Sequence, residues 1–145
     1  TRTIIKKLSL GLLEELGFQP AIDDLIKSWH KRFAHIKLRC DIDEEALQYI
    51  TTDRQPHVYR IVQEALTNIT KHSNAKNVFI KIFYMPKKKM IKIEISNDGA
   101  RNVKQDNNGI GLLGIAERVS QMNGKLHIKY GKTFKLDIEM GLGHG

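Results

Sequence analysis

Residues 58–72 carry two side-chain patterns that both repeat with the period of an α-helix. Apolar residues recur at spacings of three and four, which places them on one helical stripe that can pack into a core. These residues are Val58, Ile61, Val62, Ala65, Leu66 and Ile69. Glu64, Asn68, Lys71 and His72 recur at i, i+4, i+7 and i+8 and form a second strip on the same helix. The pattern predicts a central helix with one buried face and one polar strip.

Further helices are predicted where apolar residues keep helical spacing between start and stop signals. They cover residues 1–16, 21–33, 43–49 and 112–122. Gly17 and Gly124 are typical helix ends, and Asp43 can cap the short third helix with its side chain. Asp53 and Pro56 mark the start of the central helix.

Alternating apolar and polar residues predict strands between these helices. They cover residues 36–42, 78–83, 91–95, 126–128 and 134–138. The second and third strands flank a turn at residues 85–89, and the last two flank residues 131–133, so each pair should form an antiparallel hairpin. Cys40 alternates with Arg39 and Asp41, which predicts a small core residue instead of a reactive thiol.

The composition is that of one globular domain with a core: 145 residues, 41% hydrophobic and 28% charged. The formal charge of +8 favours an anionic ligand, but Lys and Arg are spread along the chain. A nucleotide satisfies that charge as well as a nucleic acid does, and we expect no direct nucleic-acid binding. A single cysteine excludes a disulfide framework and is consistent with a reducing, cytoplasmic location.

No apolar run reaches the length of a membrane span, and the first residues do not form a signal peptide. We therefore expect a domain that is not itself inserted in a membrane. Since the chain begins at Thr1 and not at Met, we also expect it to be a fragment of a longer protein.

The polar strip of the central helix carries groups that suit magnesium and phosphate. Glu64 and Asn68 offer hard oxygen ligands for Mg²⁺ or its waters, and Lys71 and His72 can meet phosphate oxygens. The alternative is an ordinary solvated helix shoulder, because such residues are common on the surface of a basic protein.

A second candidate is the glycine-rich segment at residues 109–114, G-I-G-L-L-G, which leads into a predicted helix. Backbone N–H groups at such a helix start can hold phosphate, although the three glycines alone are also explained by a turn and close helix packing. A polar Asn97-Asp98-Gly99 turn follows a predicted buried strand. Together with the central helix, these segments could enclose a nucleotide.

These motifs resemble the ATP-binding domain of bacterial sensor histidine kinases. The resemblance rests on Glu64-x-x-x-Asn68 with Lys71-His72-Ser73, on residues 109–119 (G-I-G-L-L-G-I-A-E-R-V) and on residues 123–126 (N-G-K-L). It is strongest to the subclass that pairs with NarL-type response regulators, whose junction between dimerisation helices and ATP domain resembles residues 16–25 (L-G-F-Q-P-A-I-D-D-L). The similarity extends from about residue 8 to residue 140.

The resemblance implies an α/β sandwich, in which a mixed, largely antiparallel sheet packs on helices. This is the Bergerat-type ATP-binding fold that gyrase-type ATPases share. It divides the chain into the end of a dimerisation helix with its linker at residues 1–17, the catalytic domain at 18–140 and a tail at 141–145.

The resemblance also implies the roles of individual residues. Asn68 is expected to bind Mg²⁺ with Glu64 beside it, and Glu64, Lys71 and His72 form the predicted catalytic group. Lys71 and His72 approach the phosphates, and Gly109, Gly111 and Gly114 form the phosphate-facing turn of a mobile lid. The full set of predicted ATP contacts is Asn68, Lys71, His72, Asn97, Gly99, Gly109, Gly111, Leu112, Gly114 and Thr133.

The implied reaction is transfer of the ATP γ-phosphoryl group to a histidine on a dimerisation helix, followed by transfer to an aspartate of a response regulator. The expected cofactors are ATP and Mg²⁺. The expected partners are the protein's own dimerisation helices, within a homodimer, and a NarL-type regulator. We expect the domain to lie on the cytoplasmic side of a membrane-bound sensor.

The chain departs from the family pattern at Asn97, where the family has the aspartate that reads adenine, and at Arg101 and Lys132, where it has glycines. No histidine lies in a phosphoacceptor motif, so this chain alone should not autophosphorylate. Two alternatives follow. One is a degenerate nucleotide-binding or partner-binding module, and the other is a serine-directed anti-sigma-factor kinase.

Overall fold

The structure, a computed structural model, describes residue 11, residues 13–100 and residues 110–142, with the side chains of residues 110 and 111 outside this description. Within these residues, the chain forms helices and five strands. In chain order they are α1 (Phe18–Arg32), β1 (Lys37–Ile42), α2 (Glu44–Gln48), α3 (Gln55–His72), β2 (Asn77–Met85), β3 (Met90–Asn97), α4 (Ile110–Gln121), β4 (Lys125–Lys129) and β5 (Phe134–Gly141). Residues 13–16 are also helical and precede α1.

The five strands form one sheet in the order β1-β2-β3-β5-β4. β1 and β2 are parallel, and α2 and α3 form the crossover connection that a parallel pair requires. The other three pairings are antiparallel. Both predicted hairpins, β2–β3 and β4–β5, are confirmed. The predicted fold class, a mixed and largely antiparallel sheet packed on helices, is confirmed as well.

The core lies between α3 and one face of the sheet. All six apolar residues of the predicted stripe on α3 are buried, from Val58 to Ile69. On the sheet, alternate residues of β2, β3 and β5 are buried, and their neighbours along each strand are more exposed. The buried sheet residues are Val78, Ile80, Ile82, Ile91, Ile93, Ile95, Phe134, Leu136, Ile138 and Met140. The architecture therefore has two layers, and the opposite sheet face carries polar side chains.

α4 begins at Ile110, two residues before the predicted start, and the start of α1 also differs from its prediction. This helix begins at Phe18, three residues before the predicted start, because Phe18 is itself buried and Gly17 adopts the positive φ of 91° at the junction. Leu16, predicted on an apolar stripe, is 50% exposed. Most of the first predicted helix, residues 1–10 and 12, lies outside the described residues. β5 continues to Gly141, the first residue of the predicted tail.

The prediction that Cys40 is a core residue is wrong, because its side chain is exposed. Cys40 pairs with the buried Ile80 of β2 and lies on the same face of the sheet as the core residues. However, β1 forms the edge of the sheet, and burial there depends on the helix layer reaching that far. Strand alternation specifies the face that a residue lies on but not the lateral extent of the layer above it.

The buried side chain of Arg54 connects the end of α4 and the end of β5 to the start of α3. The Arg54 guanidinium donates from Nη1 to the carbonyl of Gly141 at 2.6 Å and from Nη2 to the carbonyl of Met122 at 2.7 Å. Met122 directly follows α4, and Gly141 is the last residue of β5. One side chain therefore holds both elements against α3. Arg54 is one of two buried polar residues in the described part of the chain.

We predict that Arg54→Ala lowers the free energy of unfolding by about 2–4 kcal/mol, because two backbone carbonyls lose charge-assisted donors. Urea unfolding followed by circular dichroism measures this loss. Arg39→Ala is the control for loss of an exposed arginine and should change stability by no more than about 1 kcal/mol, because Arg39 contacts only the exposed face of the Phe79 ring. Equal stability of the two variants would show that the Arg54 bonds contribute nothing.

Candidate functional site

The polar strip of α3 lies at the border between buried and exposed surface. Glu64 and Asn68 are half-buried, and Lys71 and His72 at the helix end are exposed. The basic pair sits in the last turn of α3, where cations interact favourably with the helix dipole. The strip therefore changes from partly buried side chains that carry oxygen to exposed side chains that carry nitrogen along its length.

Glu64 faces α4, and its two carboxylate oxygens have different surroundings. Oε1 lies 3.7 Å from Nε of Arg118, whereas Oε2 is buried and has no hydrogen-bond partner among the described residues. Gly114 lies directly beside it, since a Cβ atom at this position would be 3.0 Å from Oε2. The sequence predicts Gly114 in a phosphate-facing turn, whereas the structure places it inside α4 against the Glu64 carboxylate.

His57 completes this contact between α3 and α4. Its Nδ1 lies 3.4 Å from Nη1 of Arg118. Burial lowers the pKa of His57, and the neighbouring Arg118 charge lowers it further, so the neutral ring is favoured at pH 7 and its Nδ1 can accept a hydrogen bond from the guanidinium. Neither Arg118 nor His57 was predicted as a site residue, because their partners are far away in the sequence.

The turn after β3 begins with Asn97, which is only 3% exposed. Its Nδ2 donates to the carbonyl of Asp98 at 2.8 Å. A carbonyl oxygen can only accept, so the amide nitrogen of Asn97 must face it and the amide oxygen must point away. This bond fixes the orientation of the Asn97 amide.

Asp98 fastens this turn to the start of β2. Its Oδ1 accepts from the backbone N–H groups of Lys76 and Asn77 at 2.8 and 2.9 Å, and its Oδ2 accepts from the Asn77 amide at 2.8 Å. The Asn77 side-chain bond, with the backbone bonds, holds the pKa of Asp98 below its usual value. Asp98 is therefore a structural carboxylate.

Gly99 allows the turn to touch the end of α3. Its φ is 64°, and a Cβ atom there would collide with the carbonyl oxygen of Asn74. The Asn74 N–H donates to the Gly99 carbonyl at 3.1 Å, and Ser73 forms a β-bridge with Ala100. A larger residue at position 99 would have to separate the turn from α3.

The turn of the β4–β5 hairpin also contacts the turn after β3. The N–H of Ala100 lies 3.4 Å from the carbonyl of Lys132, and Asn97 aligns with Phe134 of β5. Thr133, a predicted ATP contact, lies between those two positions and is exposed. Leu112 is half-buried against the core. Gly109 and Arg101 lie outside the described residues, and Gly111 is described only as part of the α4 backbone.

Among residues 11, 13–100 and 110–142, no group of three or more His, Cys, Asp or Glu side chains could hold a metal ion alone. Mg²⁺ does not require such a group, since it is commonly bound by one or two protein oxygens together with substrate phosphates. The unpaired Glu64 Oε2 and the nearby Asn68 amide fit that type of site. In the same ranges, no helix has the length and hydropathy to cross a membrane.

The Asp98 bonds give a pH-dependent prediction. Because its pKa is lower in the folded state, the carboxylate stabilises the fold above its ordinary pKa and loses this contribution as the pH falls through the folded value. We expect Asp98→Asn to lower the unfolding free energy at pH 7 by about 1.5–3 kcal/mol. The difference from wild type should shrink below about pH 4.

Urea unfolding of both proteins at pH 7 and pH 3 measures this difference. Asp24→Asn, at an exposed carboxylate of α1, is the control and should behave like wild type at both pH values. If Asp98→Asn lowers the unfolding free energy by the same amount at pH 3 as at pH 7, the prediction is contradicted.

Comparison with known proteins identifies the family. Residues 53–142 match the family described as "Histidine kinase-, DNA gyrase B-, and HSP90-like ATPase". The chain is 35% identical to the sensor histidine kinase ComP of Bacillus subtilis over 98% of its own length, and 28% identical to the histidine-protein kinase/phosphatase DegS of Brevibacillus brevis over 88%. It spans 19% and 33% of the lengths of these two relatives.

Solved structures show the same fold. The blue-light activated histidine kinase EL346 of Erythrobacter litoralis aligns with a TM-score of 0.70 at 15% identity, over 86% of this chain and 42% of that one. The mycobacterial sensor histidine kinase MprB aligns with a TM-score of 0.62 at 15% identity, over 82% of this chain and 91% of that one. The predicted family and ATP-binding character are confirmed, and the kinase prediction is favoured over the two alternatives. The chain belongs to the family of histidine kinase-, DNA gyrase B- and HSP90-like ATPases, as a catalytic domain of the sensor histidine kinase type.

Proposed function

We propose that this domain binds Mg-ATP between the polar strip of α3 and the turn at residues 97–100. It then transfers the γ-phosphoryl group to a histidine of a dimerisation helix in the parent protein. The observation that carries the proposal is the attachment of this turn to the end of α3 through Asn74, Ser73 and Gly99. Because of this attachment, the adenine-facing acceptor and the phosphate-facing strip belong to one framework.

Asn97 reads adenine in this proposal. Its amide oxygen accepts from the exocyclic amino group, while its amide nitrogen stays bonded to the carbonyl of Asp98. Asn gives a weaker bond than the family's Asp, because a neutral acceptor contributes about 0.5–1.5 kcal/mol and a charged one about 1.5–3. Gly99 and Thr133 border the same pocket, the first through its backbone and the second from the β4–β5 turn.

Asn68 and Glu64 hold Mg²⁺ or its waters, and Lys71 and His72 meet the phosphate oxygens. The bound ion supplies neutralisation of the charge on the β- and γ-phosphates. The predicted phosphate contacts of Gly109, Gly111 and Leu112 remain part of this proposal, whereas Gly114 lies inside α4 against the Glu64 carboxylate. In this arrangement the domain's contribution is positioning and charge stabilisation, which dominate catalysis of phosphoryl transfer.

The reaction breaks the bond between the γ-phosphorus and the bridging oxygen of ADP and forms a phosphorus–nitrogen bond to an imidazole. The acceptor lies outside this chain, in the dimerisation helices. His57 is engaged with Arg118, and His30 is bonded to the carbonyl of Ile36, so neither is placed to accept. The phosphoryl group then passes to an aspartate of a NarL-type response regulator. Such a reaction consumes cytosolic ATP and suits a homodimeric sensor with its catalytic domain in the cytoplasm.

We expect the isolated chain to incorporate no label from γ-labelled ATP, because the acceptor histidine belongs to the dimerisation helices. Adding those helices in trans should give slow, acid-labile labelling of the helices, since loss of the covalent tether lowers the effective concentration of the acceptor. The full-length protein is the positive control. Acid-labile label on the isolated chain would contradict the placement of the acceptor.

We also predict that Mg-ATP raises the thermal midpoint of this chain and that Asn68→Ala abolishes most of the effect. Ligand at a hundredfold excess over its dissociation constant stabilises a folded protein by about 2.7 kcal/mol. Thr67→Ala is the matched control, because Thr67 is exposed on the neighbouring face of the same helix and its hydroxyl bonds only within α3. Equal ATP-induced shifts in wild type and Asn68→Ala would contradict the role given to Asn68.

A further inference from the structure

The contact between α3 and α4 contains the Glu64 carboxylate, whose two oxygens differ in their partners. Oε1 of Glu64 is 3.7 Å from the Arg118 Nε, and Oε2 is buried without a hydrogen-bond partner in the described residues. A buried carboxylate oxygen without a donor is costly, because it loses its hydration and gains nothing in return. Such an atom in a nucleotide site points to a ligand that completes it.

Arg118 is held in place from two sides. Its Nε faces Glu64, and its Nη1 lies 3.4 Å from Nδ1 of His57. His57 and Glu64 are about two turns apart on the same face of α3, so one guanidinium spans the distance between them. Its planar and rigid arrangement of donors suits this role better than a single ammonium group would.

Gly114 has no side chain and so allows α4 to lie close to Oε2. A Cβ atom at this position would stand 3.0 Å from Oε2 and 3.5 Å from Oε1. Any side chain there would therefore press on the carboxylate or occupy the space in front of it. Arg118 and Gly114 lie one helical turn apart on α4, and both approach the same carboxylate.

We propose that Arg118 is a positioning residue that holds Glu64 by Oε1 and thereby leaves Oε2 available to Mg²⁺ or one of its waters. The inference rests on the proposed binding of Mg-ATP. Arg118 does not touch the nucleotide in this arrangement and acts only through Glu64. Residues that orient a metal ligand commonly affect metal affinity about 10–100-fold when they are replaced.

The test is calorimetric titration of ATP into the protein, once with saturating Mg²⁺ and once in EDTA. We expect Arg118→Gln to lose at least about tenfold in affinity for Mg-ATP while its affinity for metal-free ATP changes less than about twofold. Arg118→Lys should fall between wild type and Arg118→Gln, because the ammonium keeps the charge but cannot span Glu64 and His57. Arg39→Gln, which removes an equal charge from the exposed edge strand β1, should titrate like wild type.

A double-mutant cycle shows whether Arg118 acts through Glu64. If it does, Glu64→Gln combined with Arg118→Gln binds Mg-ATP no more weakly than Glu64→Gln alone. Additive losses, or the same Mg²⁺ dependence in wild type and Arg118→Gln, would overturn the inference while leaving the proposed function standing. Wild type that binds ATP in neither condition would overturn both. Circular dichroism checks the folding of each variant, and the titration of Arg118→Lys decides between the outcomes if Arg118→Gln does not fold.

Discussion

The structure depends on one constraint, which is that α3 must bury one stripe against the sheet and still present a different strip at the border of the layer. Its apolar residues occupy the centre of the core, from Val58 to Ile69. This packing fixes the rotation of the helix about its axis, and the rotation in turn sets how far Glu64 and Asn68 are exposed. The geometry of the candidate site is therefore a consequence of core packing, and changes in the core should be felt by the polar strip.

Polar ties fix α3 at its two ends. At the start, the Arg54 guanidinium joins the carbonyls of Met122 and Gly141 to the helix, and at the end the turn that contains Asp98 and Gly99 closes on Asn74. Both connections are made to backbone groups of the elements that they join. They locate whole segments, so the turn at residues 97–100 and the final strand are placed relative to the same helix.

Periodicity predicted the helices, the hairpins and the buried stripe, because those features depend on neighbours within a few residues. It could not predict that Cys40 lies at an uncovered edge, since that depends on where α1 ends over the sheet. Arg54, Asp98 and Arg118 also escaped prediction, because each meets partners more than twenty residues away. The family motifs supplied the candidate ATP contacts, but the engagement of Glu64 by Arg118 and Gly114 became visible only when α3 and α4 were seen side by side.

The sheet ends in two open strands, β1 and β4, and their composition bears on how copies of the domain meet. Charged residues alternate along both edges, with Lys37, Arg39 and Asp41 on one and Lys125 and Lys129 on the other. Lysine and arginine on an edge strand oppose strand-to-strand addition of a second sheet, because the cations would face each other without solvent. Two copies of the domain brought close together would keep separate sheets, so each could turn as an independent body.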